Sequence, residues 1–292
     1  MLMASARTPP SYSSAAPDRQ PSYSAAGSPA RSSSPSSSGR APSYSDAPVR
    51  PSSSSSGAPP PSNGRMHTGV PGLDQLLGGG LPARSNLLLY GEPLCGKKIM
   101  AMQYIYQGLV EETPGIFVLT DFGYLDWRAK MAALGMDLAP FEQSGLVQVI
   151  DCYSRQLEPA LQDAGVVSYA ASPAALSSIS MHIARVQDEL VKSFPSHRLA
   201  FHSLSSLLKE TDSPTAFRFM QFVVGKFRRE GATAMYLMEK GMHDEKDVKM
   251  VEHLMDGVIE FDAGKLRIKG MGMAADTWYH YYIGDQGLMI RI

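Results

Sequence analysis

Gly91, Gly96 and Lys97, spaced Gly91-x-x-x-x-Gly96-Lys97, are the residues of this 292-residue chain whose types and spacing point most directly to chemistry. Two glycines let a short loop turn its amides inward, and a helix that begins at the second glycine adds favourable potential for an anion. With Lys97 as a point charge, the run Gly91, Glu92, Pro93, Leu94, Cys95, Gly96, Lys97 and Lys98 reads as a cradle for a polyphosphate such as ATP or ADP. A Ser or Thr ordinarily follows the lysine and reaches a magnesium ion. Here Lys98 stands in that place, and a fixed positive charge beside the metal position disfavours Mg2+.

Other residues admit two readings each. His202 could ligate a metal or move a proton, yet it has no partner nearby in sequence, and a structural hydrogen bond at a strand end is the plainer account. Cys95 opens a helix beside two lysines, which predicts a lowered thiol pKa and allows a redox role; a small side chain that fits the loop is the simpler reading. The aromatic run WYHYYI, residues 278–283, alternates sides of a strand, as packing or as a base-stacking platform.

The elements that must position these groups follow from periodicity. NLLLY (86–90) reads as a buried strand and residues 97–112 as the helix after it. Strand candidates follow at 115–121, 146–151, 198–204 and 233–239. Helices are expected at 124–135, at 214–231 up to Gly231, and at 245–255. A further helix is expected to be capped by Ser172 and opened by Pro173, with Ile179, Ile183, Val186 and Leu190 on one stripe. Strand and helix in alternation predict a mainly parallel sheet covered on both faces. GVIEFD, KLRIKG, WYHYYI and LMIRI are expected to close the chain as antiparallel strands.

Composition divides the chain at about residue 65. Residues 1–65 hold 21 Ser and 12 Pro with few large apolar side chains, too little to offset the entropy of ordering, so a disordered Ser/Pro/Arg tail is expected. Within it a Pro-Ser-Tyr-Ser core repeats around Tyr12, Tyr23 and Tyr44, either as drifted linker or as a repeated recognition motif or phosphorylation site that recruits a protein partner. Six Arg and two Asp give the tail +4; the whole chain is −1, so residues 66–292 carry −5. An acidic folded domain argues against a general nucleic-acid surface. Two cysteines are too few for a disulfide framework, no 18-residue apolar run exists, and the N-terminus has no hydrophobic signal core. A cytoplasmic protein with no membrane association is expected.

The segment from Thr68 to Pro93 resembles the KaiC-like branch of the RecA superfamily. Thr68, Gly69, Pro71, Gly72, Leu73, Asp74, Leu77, Gly80, Leu81 and Pro82 fall where that family has them. FEQSGLVQVID, MVEHLMDGVIEF and LRIKGMG extend the similarity to the end of the chain. The resemblance implies a three-layer α/β RecA-like P-loop domain over 66–292, with a mostly parallel central sheet and C-terminal antiparallel strands. It also implies a nucleotide held between subunits, and hence self-association or association with a related P-loop subunit.

The same resemblance exposes departures. His202 replaces the Asp that precedes a Ser-Leu-Ser step, here Ser203, Leu204 and Ser205. Asp121 and Phe122 stand where the family carries two catalytic glutamates, leaving Asp121 as the one candidate base. The segment of the trans-acting finger keeps Lys269 but has Met271 for arginine, and Glu239 matches a Glu that often follows the fifth strand. Losing an arginine finger alone costs about 10³–10⁵ in rate. The resulting expectation is a nucleotide-binding regulatory or scaffolding subunit with little hydrolysis. The alternatives are an active ATPase with an unconventional metal site and a recombinase-like DNA-binding protein.

Overall fold

The computed structural model describes residues 64–273 and 276–292; the Pro-Ser-Tyr-Ser repeats and the rest of residues 1–63 lie outside them. In chain order the strands are β1 (Arg65–Met66), β2 (Leu81–Pro82), β3 (Asn86–Gly91), β4 (Gly115–Leu119), β5 (Val147–Asp151), β6 (Val167–Tyr169), β7 (His197–His202), β8 (Ala232–Glu239), β9 (Gly257–Asp262), β10 (Lys265–Gly270), β11 (Trp278–Gly284) and β12 (Gly287–Arg291). The helices are α1 (Leu73–Leu76), α2 (Lys97–Val110), α3 (Tyr124–Ala133), α4 (Ala139–Ser144), α5 (Ser154–Leu157), α6 (Leu176–Leu190), α7 (Leu204–Glu210), α8 (Ser213–Arg229) and α9 (Glu245–Leu254).

Ten strands form one sheet in the order β12-β11-β10-β9-β3-β8-β7-β4-β5-β6. Every pairing from β9 to β6 is parallel, and β9-β10-β11-β12 are joined antiparallel. GVIEFD is therefore not simply part of an antiparallel tail. As β9 it runs parallel to β3 on one side and antiparallel to β10 on the other, so it hinges the two halves of the sheet.

Alternation along the central strands divides two cores. Leu87, Leu89, Phe117 and Leu119 point to one face with Met100 and Tyr104 of α2 and Trp127 of α3. Leu88, Ile116, Val118 and Phe201 point to the other, under α6, α7, α8 and α9. Successive residues of a strand face opposite ways, so a continuous apolar run must be covered on both sides. This is the three-layer arrangement that the sequence predicts.

Three local readings change. The long helix begins at Leu176 rather than at Pro173, and Ser172 lies in the turn before it, although Ile179, Ile183, Val186 and Leu190 are all buried as expected. Beyond β7 a separate short helix, α7, starts at Ser203, whose hydroxyl accepts from the Ser205 amide at 3.1 Å. Asp212 then caps α8 by accepting from the Thr215 amide at 3.0 Å. The chain turns out of α8 at Gly231, φ 84°.

The glycine-rich segment from Thr68 to Pro82 folds onto the far edge of the first core. Asp74 accepts from the Thr68 amide at 2.7 Å, and the Ile290 amide of β12 donates to the Pro71 carbonyl at 2.9 Å. At Gly80, φ 111°, an added Cβ would stand 2.3 Å from the Met66 carbonyl oxygen, so only glycine lets β1 and β2 close.

Candidate functional site

The C-terminal ends of β3, β8, β7 and β4 lie side by side, and the Gly91–Lys98 loop, Asp121, His202 and Glu239 sit at that edge, whereas Lys269 and the aromatic run 278–283 belong to the antiparallel strands. Ligands of open parallel sheets occupy such crevices. The loop from Gly91 to Gly96 leaves β3 there and enters α2. Gly96, φ 97°, opens the helix; a Cβ on it would meet the Ile283 and Leu288 side chains at 2.9 Å. Glu92, Pro93 and Leu94 are exposed at the tip, and Leu94 has a positive φ of 65°. Tyr281 of β11 donates its hydroxyl to the Cys95 carbonyl at 2.6 Å and braces the loop from the C-terminal strands.

Lys97 is buried beneath this loop. Its Nζ donates to the carbonyls of Gly91 at 3.0 Å and Glu92 at 2.8 Å, and pairs with Glu239 Oε2 at 2.5 Å. Glu239, at the end of β8, is itself fixed by its amide donating to Ser205 Oγ at 2.9 Å. The cradle is thus closed around its own lysine. Cys95 Sγ lies 3.8 Å from the same ammonium, but burial outweighs the attraction of Lys97 and raises the thiol above its ordinary pKa, contrary to the lowering that its position in the sequence predicts.

Across the cleft, β4 ends at Leu119 and delivers Thr120, Asp121 and Phe122. Thr120 Oγ1 accepts from the Ser203 amide at 2.5 Å and locks the ends of β4 and β7 together. Asp121 accepts from Ser206 Oγ and lies near Thr120 Oγ1 at 3.4 Å. Its Oδ2 is 3.7 Å from His202 Nδ1, beyond hydrogen-bond reach. His202 is fully buried with both ring nitrogens unpartnered, against Trp127 at 5.1 Å and Phe122 at 5.6 Å between centroids. Burial first, and Lys98 second, push it down to about 3, so the ring is neutral. The structural hydrogen bond expected of this histidine is absent among the described residues.

Two cations flank Phe122. Lys98 Nζ stands 4.3 Å from the ring centroid and Lys130 Nζ 3.8 Å from it. Lys98 is half-buried, and desolvation lowers it below the ordinary lysine value against the pull of Glu239 and Asp121. Lys130 was not a candidate from sequence. The signal that finds it is spacing: on α3, Trp127 and Lys130 lie three apart and share a face, so Trp127 against His202 brings Lys130 to Phe122. Asp151 of β5 fixes the start of that helix by accepting from the Tyr124 amide at 2.9 Å.

Lys269 is not brought to this edge. It lies toward the end of β10, opposite Val258, at the other end of the sheet, and its Nζ pairs with Glu260 at 2.7 Å. Burial alone would raise Glu260, but hydrogen bonds from Lys269 and Arg267 hold it below the usual carboxylate range. Met271 packs against the first core.

These donors do not fit magnesium. Lys98 and His202 bring an ammonium and a dry neutral imidazole to this edge, neither of them a donor that suits Mg2+, while Glu239 is taken by Lys97. Among the described residues no three His, Cys, Asp or Glu side chains cluster as a metal site. Nor, among them, is any helix long and apolar enough to cross a membrane.

Parallel sheet, loop and lysine define a RecA-like P-loop domain. Residues 66–270 match the family described as "ATPase: KaiC", and the chain belongs to that family. A UPF0273 protein of Aeropyrum pernix is 30% identical over 201 residues, covering 68% of this chain and 77% of the relative. One from Thermotoga maritima is 26% identical over 207 residues, 69% and 81% of the two chains. A KaiC-like protein of Pyrococcus horikoshii OT3 shares the fold, with TM-score 0.64, 23% identity, and coverage of 78% of this chain and 99% of that one.

Proposed function

We propose that this chain binds ATP or ADP at the Gly91–Lys98 loop without a tightly held Mg2+, hydrolyses it slowly if at all, and serves as a regulatory or scaffolding subunit. The observation that supports the reading is the charge at this edge: Lys98, which follows the loop lysine where the family carries a hydroxyl, brings a cation over Phe122, and His202 brings no negative charge to hold a divalent ion. A nucleotide phosphate replaces Glu239 as the partner of Lys97, so binding is an exchange of one anion for another. Asp121 is the one carboxylate placed to orient water, and its engagement with Ser206 leaves it poorly disposed to act as a base. Self-association or pairing with a related P-loop subunit follows from the family, with Lys269 at the opposite end of the sheet available to a neighbouring subunit and the N-terminal tail recruiting a further protein.

The test is a titration of the full chain with a fluorescent ATP analogue in Mg2+ and in EDTA, alongside phosphate release compared with Lys97→Ala. Binding that survives EDTA, with release no faster than the variant, is the expected result. A strict Mg2+ requirement, or rapid turnover, overturns the proposal.

A further inference from the structure

We infer that Lys98 and Lys130, gathered on the ring of Phe122, form a metal-free clamp for the terminal phosphate of a nucleoside triphosphate. The inference rests on the nucleotide-binding reading above and goes beyond it by assigning a role to α3 and a preference for triphosphate over diphosphate. Phe122 brings together two cations from different helices, one from α2 and one from α3. Their separation cannot exceed the sum of the two ring distances, and the clamp requires that one phosphate group turn an oxygen toward each ammonium. Neither ammonium makes an ion pair with a carboxylate among the described residues, whereas Lys97 beside them is fully paired.

Two like charges held together are a cost that the ring quadrupole relieves only in part. An anion between them relieves the remainder. The rest of the wall is compatible: His202 is uncharged, Trp127 is apolar, and the carboxylate of Asp121 is directed to Ser206 and Thr120. Lys97 serves the phosphates that the loop itself surrounds. Lys98, one residue further along α2, and Lys130, from α3, then meet the outermost one. In this chain a pair of organic cations supplies the positive charge that elsewhere a divalent ion brings to the terminal phosphoryl group.

Calorimetric titration of the full chain in EDTA with ATP, ADP and inorganic tripolyphosphate tests the assignment. ATP is expected to bind about tenfold tighter than ADP. Lys130→Met, at an exposed position and with its fold checked by circular dichroism, is expected to weaken ATP and tripolyphosphate about tenfold and ADP less than about twofold. Phe122→Leu, which keeps bulk but not the ring, is expected to show part of the same selective loss. Unchanged ATP and ADP affinities in Lys130→Met overturn the clamp and leave metal-free binding standing. Equal losses for ATP and ADP also overturn it, since Lys130 then acts only as diffuse charge. Wild-type chain that binds neither nucleotide in EDTA overturns both readings together.

Discussion

The two sides of the site are held by different kinds of packing. On the cradle side, the segment from Thr68 to Pro82, β3, the loop and α2 are fixed sterically: Gly80 admits the Met66 carbonyl, and Gly96 admits Ile283 and Leu288. On the facing side, the ends of β4 and β7 hold Asp121, Phe122 and His202 in a dry aromatic cluster with Trp127. Nothing in the backbone there requires a carboxylate. One side is constrained by how close the backbone must approach, and the other by contacts between side chains.

The sharpest way to break that contrast is on the cradle side. Gly80→Ala places a Cβ against a carbonyl at a positive φ, and about 3 kcal/mol or more of stability is expected to be lost, read as the denaturant midpoint. A midpoint equal to wild type removes the steric argument. Lys97→Ala is expected to weaken nucleotide binding about a hundredfold, because it deletes the one cation enclosed by the loop. Glu239→Gln, by contrast, frees that cation from its internal partner, and about tenfold tighter binding in EDTA is expected. A loss of affinity there would mean that Glu239 positions Lys97 for the ligand rather than competing with it.

The facing side offers a gain rather than a loss. Lys98→Ser combined with His202→Asp is expected to make binding metal-responsive, with Mg2+ raising ATP affinity about tenfold where it leaves the parent chain little changed. Absence of any Mg2+ effect in the double variant would show that these two replacements are not what excludes the ion.

The smallest effect is a pH dependence. His202 and His197 are pushed down to about 3 and about 4 by burial, from an ordinary value near 6.5 in the unfolded chain. Between those limits the unfolded chain binds more protons, so their contribution to stability is complete above about pH 6.5 and is lost as the pH falls toward 3. Around His202 stand Lys98, Lys97, Lys130 and Asp121, and the three lysines act in the same direction as burial. Denaturant midpoints at pH 7 and pH 5 are expected to differ less for His202→Leu than for wild type. Equal differences would indicate that the imidazole is already charged in the fold.

The parallel core was legible because burial on both faces writes an unbroken apolar run, as in Leu87, Leu88 and Leu89, and because glycines mark places of close approach. Gly91, Gly96 and Lys97 were legible for the same reason: the motif is a local backbone device. What sequence does not carry is the partner a side chain finds across the sheet. Lys97 with Glu239 and Ser206 with Asp121 are joined by pairings between distant segments, and neither follows from spacing along the chain. The thiol of Cys95 makes the point in miniature: neighbours in sequence argue for one direction of shift, and enclosure in the fold imposes the other. β9 was misread because its residues look alike whichever way its neighbours run.

The bond from the Tyr281 hydroxyl to the Cys95 carbonyl, with Ile283 and Leu288 against Gly96, ties the base of the loop to the C-terminal strands. The last two strands act as its chassis. β12 has β11 as its one neighbour in the sheet, so an extended segment laid along that margin would press, through Tyr281, Ile283 and Leu288, on the loop that surrounds Lys97.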